Sequence, residues 1–203
     1  LGATLGISGR NSEALNAHQM AVALSPSDAE AHNNLGVTLK KLGRIDEAEA
    51  SCRQAIALKR DYAEAHYNLG NTFRESGRLG EAIVSYSQAI ALKPSYDSAY
   101  INLDLAINNV RFESTNRELY PPLTQLLTTG NFTRPKNIAP SILSLLKHDP
   151  VIEELLLEKN LAMTPKDVRS IISKLDRITL LHSLMRLCPL PDLEFEQLFV
   201  VIR

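Results

Sequence analysis

Along residues 1–109, apolar and small residues return in the same order every 34 positions, with polar residues between them. Within one period the apolar residues fall at helical spacing, so we expect them to fill the seam between two paired helices: Leu35, Leu39, Ile45, Ile56 and Leu58. No stretch alternates apolar and polar residues in the manner of a strand. The pattern therefore predicts an all-α chain.

Sliding the sequence by 34 residues aligns whole columns of identical residues. The clearest columns are Leu1-Gly2, Leu35-Gly36 and Leu69-Gly70; Gly9, Gly43 and Gly77; Glu47-Ala48 and Glu81-Ala82; and Asn34, Asn68 and Asn102. The spacing predicts a first helix over Glu30–Lys41 that Gly43 ends, because glycine adopts the left-handed turn found at helix ends. Asp46 and Gly80 are residue types suited to begin the second helix of each period.

These columns resemble the tetratricopeptide repeat, a two-helix unit of 34 residues that stacks into a right-handed solenoid. The resemblance covers residues 1–109 as a partial repeat, two full repeats and a half repeat. His32, His66 and Tyr100 depart from it, since the family often has tryptophan in that column. Solenoids of this kind usually bind partners along an extended surface.

The asparagine column is the strongest functional signal. In this family the first helices line the inner curve, and the repeats of protein O-GlcNAc transferases carry a similar asparagine ladder that grips substrate polypeptides. The stretch 65–70 is especially similar to those repeats. An asparagine offers one donor group and one acceptor, which match a peptide backbone. We therefore expect peptide binding at Asn34, Asn68 and Asn102, tuned by neighbours that include three cations able to receive acidic side chains: Tyr67, Val37, Asn71, Lys40, Lys41 and Arg74.

The repeat pattern fades after Asn109, and residues 110–119 are predicted to form a boundary. Residues 120–203 predict a second, bundle-like helical region whose helices begin near prolines. The predicted helices are Leu123–Thr129, Asn137–Lys147, Val151–Glu158, Lys166–Leu175, Asp176–Leu187 and one after Asp192. Its predicted core is Ile142, Leu145, Leu146, Ile152, Leu155, Leu156, Ile171, Ile172, Leu175, Leu180, Leu181 and Leu184.

This second half resembles the helical segment that separates tetratricopeptide repeats from a methyltransferase domain in some bacterial proteins. The similar stretches are 131–135, 142–150 and 184–189. The glycine-rich cofactor loop of such an enzyme does not occur in these 203 residues. The chain begins within a predicted helix and ends in one without a stop signal, so we expect it to be an internal piece of a longer protein.

Composition narrows the function further. The 22 basic and 23 acidic side chains nearly balance, which argues against a nucleic-acid partner, and no apolar run is long enough to span a bilayer. Cys52 and Cys188 are isolated, as is usual in a reducing cytoplasm. His32 and His66 share a column and could bridge a metal, but metal sites need three or four ligands, so we expect none. We also expect no catalytic residues and no cofactor.

Two functions remain open. The chain is either a protein-interaction module that binds extended polypeptide, or the substrate-recognition part of a larger transferase, a methyltransferase or an O-GlcNAc-type glycosyltransferase, whose catalytic domain lies elsewhere. A purely architectural spacer would need no asparagine ladder.

Overall fold

The computed structural model describes residues 11–108, 110–129, 133–158, 173, 175 and 178–187, of which 155–158 are described by backbone alone. Its helices are α1 Asn11–Leu24, α2 Ala29–Lys41, α3 Ile45–Leu58, α4 Ala63–Glu75, α5 Leu79–Leu92, α6 Asp97–Ile107, α7 Tyr120–Thr129, α8 Pro135–Lys147, α9 Pro150–Glu158 and α10 Thr179–Leu187. A 3₁₀ turn, Arg117–Leu119, precedes α7. No strand occurs in the described residues, and the all-α prediction is confirmed.

Two compact units divide the chain between Ala106 and Ile107, within α6. The division lies a few residues before the predicted boundary segment 110–119. In the first unit each helix packs against the next in sequence from α1 to α5, and α2 also contacts α4. The predicted solenoid of helical hairpins is therefore what the first unit forms.

Glycine ends the first helix of each hairpin, as predicted. Gly43 and Gly77 have φ of 75° and 76°, which other residues rarely adopt. The N–H of Gly43 donates to the Lys40 carbonyl at 2.9 Å and that of Gly77 to the Arg74 carbonyl at 3.1 Å. These bonds satisfy carbonyls that the helix end would otherwise leave open.

The second helix begins one residue earlier than the sequence predicted. Ile45 and Leu79 open α3 and α5, which places Asp46 and Gly80 at the second helical position. Arg44 and Arg78 precede the helices and make no side-chain cap, and Arg44 Nε instead donates to the Glu47 carboxylate at 2.7 Å. At the start of α3, the ion pair between Arg44 and Glu47 thus replaces the expected side-chain cap.

Each hairpin closes around a glycine of its first helix. A Cβ added at Gly36 would lie 2.7 Å from Cys52 Sγ, and one added at Gly70 would lie 2.6 Å from Tyr86 Cε1. Cys52 and Tyr86 occupy the same repeat column and are both fully buried. Burial raises the pKa of the Cys52 thiol to about 12, so this thiol is an inert packing group. Leu58, in contrast, is 38% exposed and does not fill the seam as predicted.

The second unit has a leucine-rich core of its own. The predicted core residues that it buries are Ile142, Leu145, Leu146, Ile152, Leu175, Leu180, Leu181 and Leu184. The side chains of Leu155, Leu156, Ile171 and Ile172, most of the predicted helix Lys166–Leu175, Cys188 and the helix after Asp192 lie outside the described residues. The sequence analysis missed several core members that the 3₁₀ turn, α7 and α8 contribute: Leu119, Leu123, Leu126, Leu127, Ile138 and Leu143.

Asp149 is the one fully buried carboxylate in the described part of this unit. It accepts hydrogen bonds from Arg117 Nε and Nη2 at 2.9 Å each, from the Tyr120 hydroxyl at 2.8 Å, and from the Val151 N–H at 3.0 Å. Burial by itself would raise the pKa of Asp149, but these donors and the Arg117 charge outweigh it and hold the pKa below its usual value. The cluster ties the 3₁₀ turn to the start of α9.

We predict that Gly70→Ala destabilises the protein by about 1–3 kcal/mol, because the new methyl group overpacks against the Tyr86 ring. Gly80→Ala is the matched control, since nothing lies within 4 Å of its added Cβ. There the higher helix propensity of alanine should leave stability unchanged or raise it by up to about 1 kcal/mol. Urea denaturation followed by circular dichroism measures both, and equal effects would contradict the close packing at Gly70.

We predict that Asp149→Asn lowers the free energy of unfolding by about 2–4 kcal/mol at pH 7, because it weakens a charged, hydrogen-bonded cluster. A carboxylate whose pKa is lowered by folding contributes stability that is present above its unfolded pKa of about 3.9 and lost as the pH falls through the folded value. The difference between wild type and variant should therefore shrink below about pH 4.

Urea titrations from pH 7 to pH 2.5 test this pH dependence. Asp61→Asn, at an exposed carboxylate, is the control and should change stability little. A difference that stays constant over the whole range would mean that the Asp149 charge contributes nothing.

Candidate peptide-binding face

Asn34, Asn68 and Asn102 occupy equivalent positions on α2, α4 and α6, the first helices of successive repeats. Their side chains are all half-buried. We call the surface that carries them the first-helix face, and define it by four columns of residues: Asn33, Tyr67 and Ile101; Asn34, Asn68 and Asn102; Val37, Asn71 and Leu105; and Lys40 and Arg74.

The asparagines bridge neighbouring repeats. Asn68 Nδ2 donates to Asn33 Oδ1 at 2.9 Å, and Asn102 Nδ2 donates to the Tyr67 hydroxyl at 3.1 Å. Both bonds span 35 residues, so the two asparagines point in the same direction along the face. The Asn34 side chain makes no hydrogen bond to another residue that the structure describes, which leaves both of its amide groups open.

Asn71 joins this network from the neighbouring column. It is only 8% exposed, and its Oδ1 accepts from the Tyr86 hydroxyl at 2.9 Å and from Asn102 Nδ2 at 2.8 Å. Burial raises the pKa of Tyr86 to about 12, although the nearby Arg74 guanidinium opposes the rise. Tyr86 therefore remains a neutral hydrogen-bond donor that fixes the orientation of the Asn71 amide.

Two tyrosines that the sequence analysis missed complete the bridges. The Tyr96 ring packs against the Tyr67 ring at a tilt of 40°, with ring centroids 4.9 Å apart, and Tyr62 lies against Asn33 in the preceding repeat. Lys59 Nζ lies over the Tyr62 ring, 5.1 Å from its centroid, and Lys93 Nζ lies over the Tyr96 ring, 5.0 Å from its centroid. Both pairs obey the 34-residue period, so the same sequence comparison could have found them.

The three predicted cations differ in their surroundings. Lys40 Nζ is 2.9 Å from Glu75 Oε1 in the next repeat, so its charge is already paired. Lys41 is exposed, and Arg74 is exposed near the Tyr86 hydroxyl. Arg74, on the first-helix face, and Lys41, which follows Lys40 in sequence, are therefore the exposed cations among the three.

Aliphatic side chains, which the sequence analysis also missed, occupy the third repeat of the face. Ile101 is 49% exposed and Leu105 is 52% exposed, on either side of Asn102 along the helix. Positions four residues apart are neighbours on a helix surface. The face thus changes from polar in the first repeat to apolar in the third.

The histidine column has a structural role. His32 Nε2 lies 2.9 Å from the Pro26 carbonyl, His66 Nε2 lies 3.3 Å from the Arg60 carbonyl, and the Tyr100 hydroxyl donates to the Pro94 carbonyl at 3.3 Å. Each bond spans six residues and ties a first helix to the connection before it. Within the described part of the chain, no cluster of histidine, cysteine or acidic residues could hold a metal ion.

A groove of about 520 Å³ lies on another surface, between α3 and α5 and above α4. Three of its polar side chains are bonded within the protein: Arg53 to Glu49, Glu81 to Arg78, and His66 to Arg60. Leu69, Phe73 and Val84 line the groove as well, so it is largely apolar. It offers fewer open polar groups than the first-helix face.

Two models of known protein families match the repeat region of the chain. Residues 27–95 match the family model described as tetratricopeptide repeat, and residues 7–43 match a second model described as TPR repeat. Residues 7–95 are tetratricopeptide repeats. None of the curated proteins searched matches the chain.

Several solved structures are similar to this chain in fold. An O-GlcNAc transferase mutant from Thermobaculum terrenum is 26% identical with a TM-score of 0.53, covering 63% of this chain but only 24% of that enzyme. MamA is 25% identical with a TM-score of 0.52, covering 72% of this chain and 75% of its own. The first TPR of Spaghetti (RPAP3), bound to an HSP90 peptide, is 24% identical with a TM-score of 0.50, covering 52% and 83%.

In the described residues, no helix of the chain is both long enough and apolar enough to cross a membrane.

We predict that Asn102→Ala destabilises the first unit by about 1–3 kcal/mol, because two bridging hydrogen bonds are lost at about 0.5–1.5 kcal/mol each. A double-mutant cycle with Asn71→Ala should give a coupling energy of at least about 0.5 kcal/mol, as expected for residues in one network. Strictly additive effects in urea denaturation would show that the two amides do not interact.

Proposed function

We propose that the first unit is a protein-interaction module whose first-helix face binds an extended polypeptide through Asn34, Asn68 and Asn102. Tyr67, Asn71, Lys41 and Arg74 adjust its preference for particular side chains. In this proposal the chain needs no catalytic residue, metal or cofactor of its own, its partner is neither nucleic acid nor membrane, and the protein works in the cytoplasm.

The observation that carries the proposal is the common direction of the asparagines. Asn68 and Asn102 donate to equivalent positions of the preceding repeat, so each presents its remaining amide groups with the same orientation. Packed helices lie about 8–10 Å apart, and an extended chain advances about 3.3 Å per residue. One asparagine would therefore meet the ligand backbone about every third residue.

The amide groups left open match a peptide backbone. Within the described residues the Asn34 side chain makes no hydrogen bond, and neither does the side-chain oxygen Oδ1 of Asn68. Backbone N–H and C=O groups occur in every polypeptide, so such contacts hold a chain without selecting its sequence. The Spaghetti (RPAP3) structure with its HSP90 peptide shares the fold, but the case for this chain rests on its own first-helix face.

A second candidate is a substrate-recognition part of a larger transferase. The likeness to the Thermobaculum terrenum O-GlcNAc transferase favours it, although this chain spans about a quarter of that enzyme. Peptide binding at the same face would then deliver a substrate to a catalytic domain. The methyltransferase relationship of the second half stays a prediction from the sequence.

Asn34→Ala is the sharpest test of peptide binding, because this side chain supports no described hydrogen bond. Binding of peptides selected from an unbiased screen should weaken by about 0.5–1.5 kcal/mol, or about 2- to 12-fold in Kd, measured by isothermal titration calorimetry. The Asn34→Ala/Asn68→Ala double variant should lose about 1–3 kcal/mol.

Asn16→Ala is the matched control, since Asn16 is an exposed asparagine on α1, a second helix of its repeat. It should leave peptide affinity unchanged. Wild-type affinity in the Asn34→Ala/Asn68→Ala variant would contradict the asparagine ladder.

The purified 203-residue chain should transfer neither a sugar nor a methyl group to peptides that it binds, because it is proposed to supply recognition alone. Incubation with labelled UDP-GlcNAc or S-adenosylmethionine measures this. Turnover above that of a heat-denatured sample would overturn the assignment as a non-catalytic part.

A further inference from the structure

The third repeat of the first-helix face differs from the first two in both its amides and its apolar side chains. Asn102 Nδ2 has two N–H groups, and both are used, one by the Tyr67 hydroxyl and one by Asn71 Oδ1. Only Asn102 Oδ1 remains for a ligand, and it can only accept a hydrogen bond. This asparagine therefore cannot contact a backbone as both donor and acceptor.

Asn71 supplies the missing donor. Its Oδ1 already accepts from Tyr86 and Asn102, so only its Nδ2 group is left to face outward. The two side chains are joined by a bond of 2.8 Å, and together they offer one acceptor and one donor side by side. That combination complements the N–H and C=O of a ligand backbone.

Val37 occupies the position of Asn71 one repeat earlier, so Asn68 has no amide neighbour of this kind. There Asn68 Nδ2 donates one N–H to Asn33 Oδ1, while its other N–H and its side-chain Oδ1 make no hydrogen bond within the described residues. At Asn102, in contrast, hydrogen bonds within the protein fix the orientation of both the acceptor, Asn102 Oδ1, and the donor, Asn71 Nδ2. A fixed orientation reduces the entropy that a ligand must pay on binding.

Ile101 and Leu105 flank this amide pair. A single exposed aliphatic residue is ordinary on a protein surface, but these two are neighbours on α6, are about half exposed, and share a face with the open Asn102 oxygen. A polypeptide backbone held at Asn71 and Asn102 would bring a side chain over them. Burying an aliphatic group there is favourable in proportion to the apolar area covered.

We propose that the third repeat selects ligands with an aliphatic residue at one position, placed on Ile101 and Leu105 while Asn71 and Asn102 hold the backbone beside it. This inference rests on the proposed function, and it names the class of partner: an extended polypeptide with an aliphatic side chain at a defined distance from the segment that Asn34 and Asn68 hold. No acidic side chain is required at this position, because Lys41 and Arg74 lie on the earlier repeats.

The test uses the complete 203-residue chain and nine-residue peptides with acetylated and amidated ends. Leucine is moved one position at a time through a serine-glycine host sequence, and affinity is measured by competition with a fluorescent peptide from the screen. For wild type, leucine at one position should improve affinity about tenfold over the host peptide, a typical gain for burying one aliphatic side chain. Leucine at distant positions should give less than a twofold change.

Two variants separate the parts of the proposal. Ile101→Ser/Leu105→Ser should abolish the leucine gain and leave affinity for the host peptide within twofold. Met20→Ser/Leu24→Ser is the matched control, since it removes two exposed aliphatic residues from α1, outside the first-helix face, and should preserve the gain. Asn71→Asp keeps the oxygen that accepts from Tyr86 and Asn102 but loses the donor, so it should weaken all peptides several-fold.

The outcomes distinguish this inference from the proposed function. If wild type binds the peptides with no positional leucine preference, or if the Ile101→Ser/Leu105→Ser variant keeps the preference, the inference is wrong and backbone binding stands. If the host peptide and every screened peptide fail to bind wild type, the proposed function fails and the inference with it. Circular dichroism of each variant confirms that it is folded.

Discussion

The contact between one repeat and the next, made through side chains 29 and 35 residues apart, is the constraint on which the first unit depends. Asn33 is met by Tyr62 and by Asn68 of the following repeat, and Tyr67 is met by Tyr96 and Asn102 in the same way. Because the period is 34 residues, each such contact recurs with the same geometry. Without these contacts the first helices of successive hairpins would not be held in a common orientation.

In the proposed function, the same amides serve both stability and recognition. A side-chain amide with its donor used inside the protein can still accept from a ligand, so Asn68 and Asn102 link the order of the repeats to the shape of the binding face. Chains of hydrogen bonds in a partly buried setting polarise one another and hold one arrangement of donors and acceptors. The face is therefore organised before a ligand arrives, which lowers the entropic cost of binding.

Much of this unit follows from the sequence, because glycine turns and small residues at close contacts recur at a fixed interval. Gly43 and Gly77 end helices as the columns predicted, and Gly36 and Gly70 lie where helices approach closely. The tetratricopeptide repeat was recognisable for the same reason. The sequence analysis placed the starts of the second helices one residue late. Arg44 and Arg78 precede these helices, and each forms an ion pair across the first turn, with Glu47 and Glu81 respectively, in place of a side-chain cap.

Side-chain partners between repeats could not be predicted from the columns. Lys40 looked available for a ligand, but its partner Glu75 is 35 residues away, and only the packing of α2 beside α4 brings the two together. Asp149 accepts the Val151 N–H at the start of α9, a contact within the local sequence, but its bonds to Arg117 and Tyr120 depend on how the second unit folds. Spacing along the chain fixes which residues share a face, while the partners of each residue depend on helix packing.

The columns of the first-helix face also differ in how strictly they repeat, and this difference bears on function. The column Asn34, Asn68 and Asn102 is the same residue in all three repeats, as the proposed binding of a ligand backbone requires. The adjoining column changes from Val37 to Asn71 to Leu105, so each repeat offers the ligand a different side chain. Affinity that is independent of ligand sequence should therefore arise from the invariant column, and discrimination between ligands from the variable one.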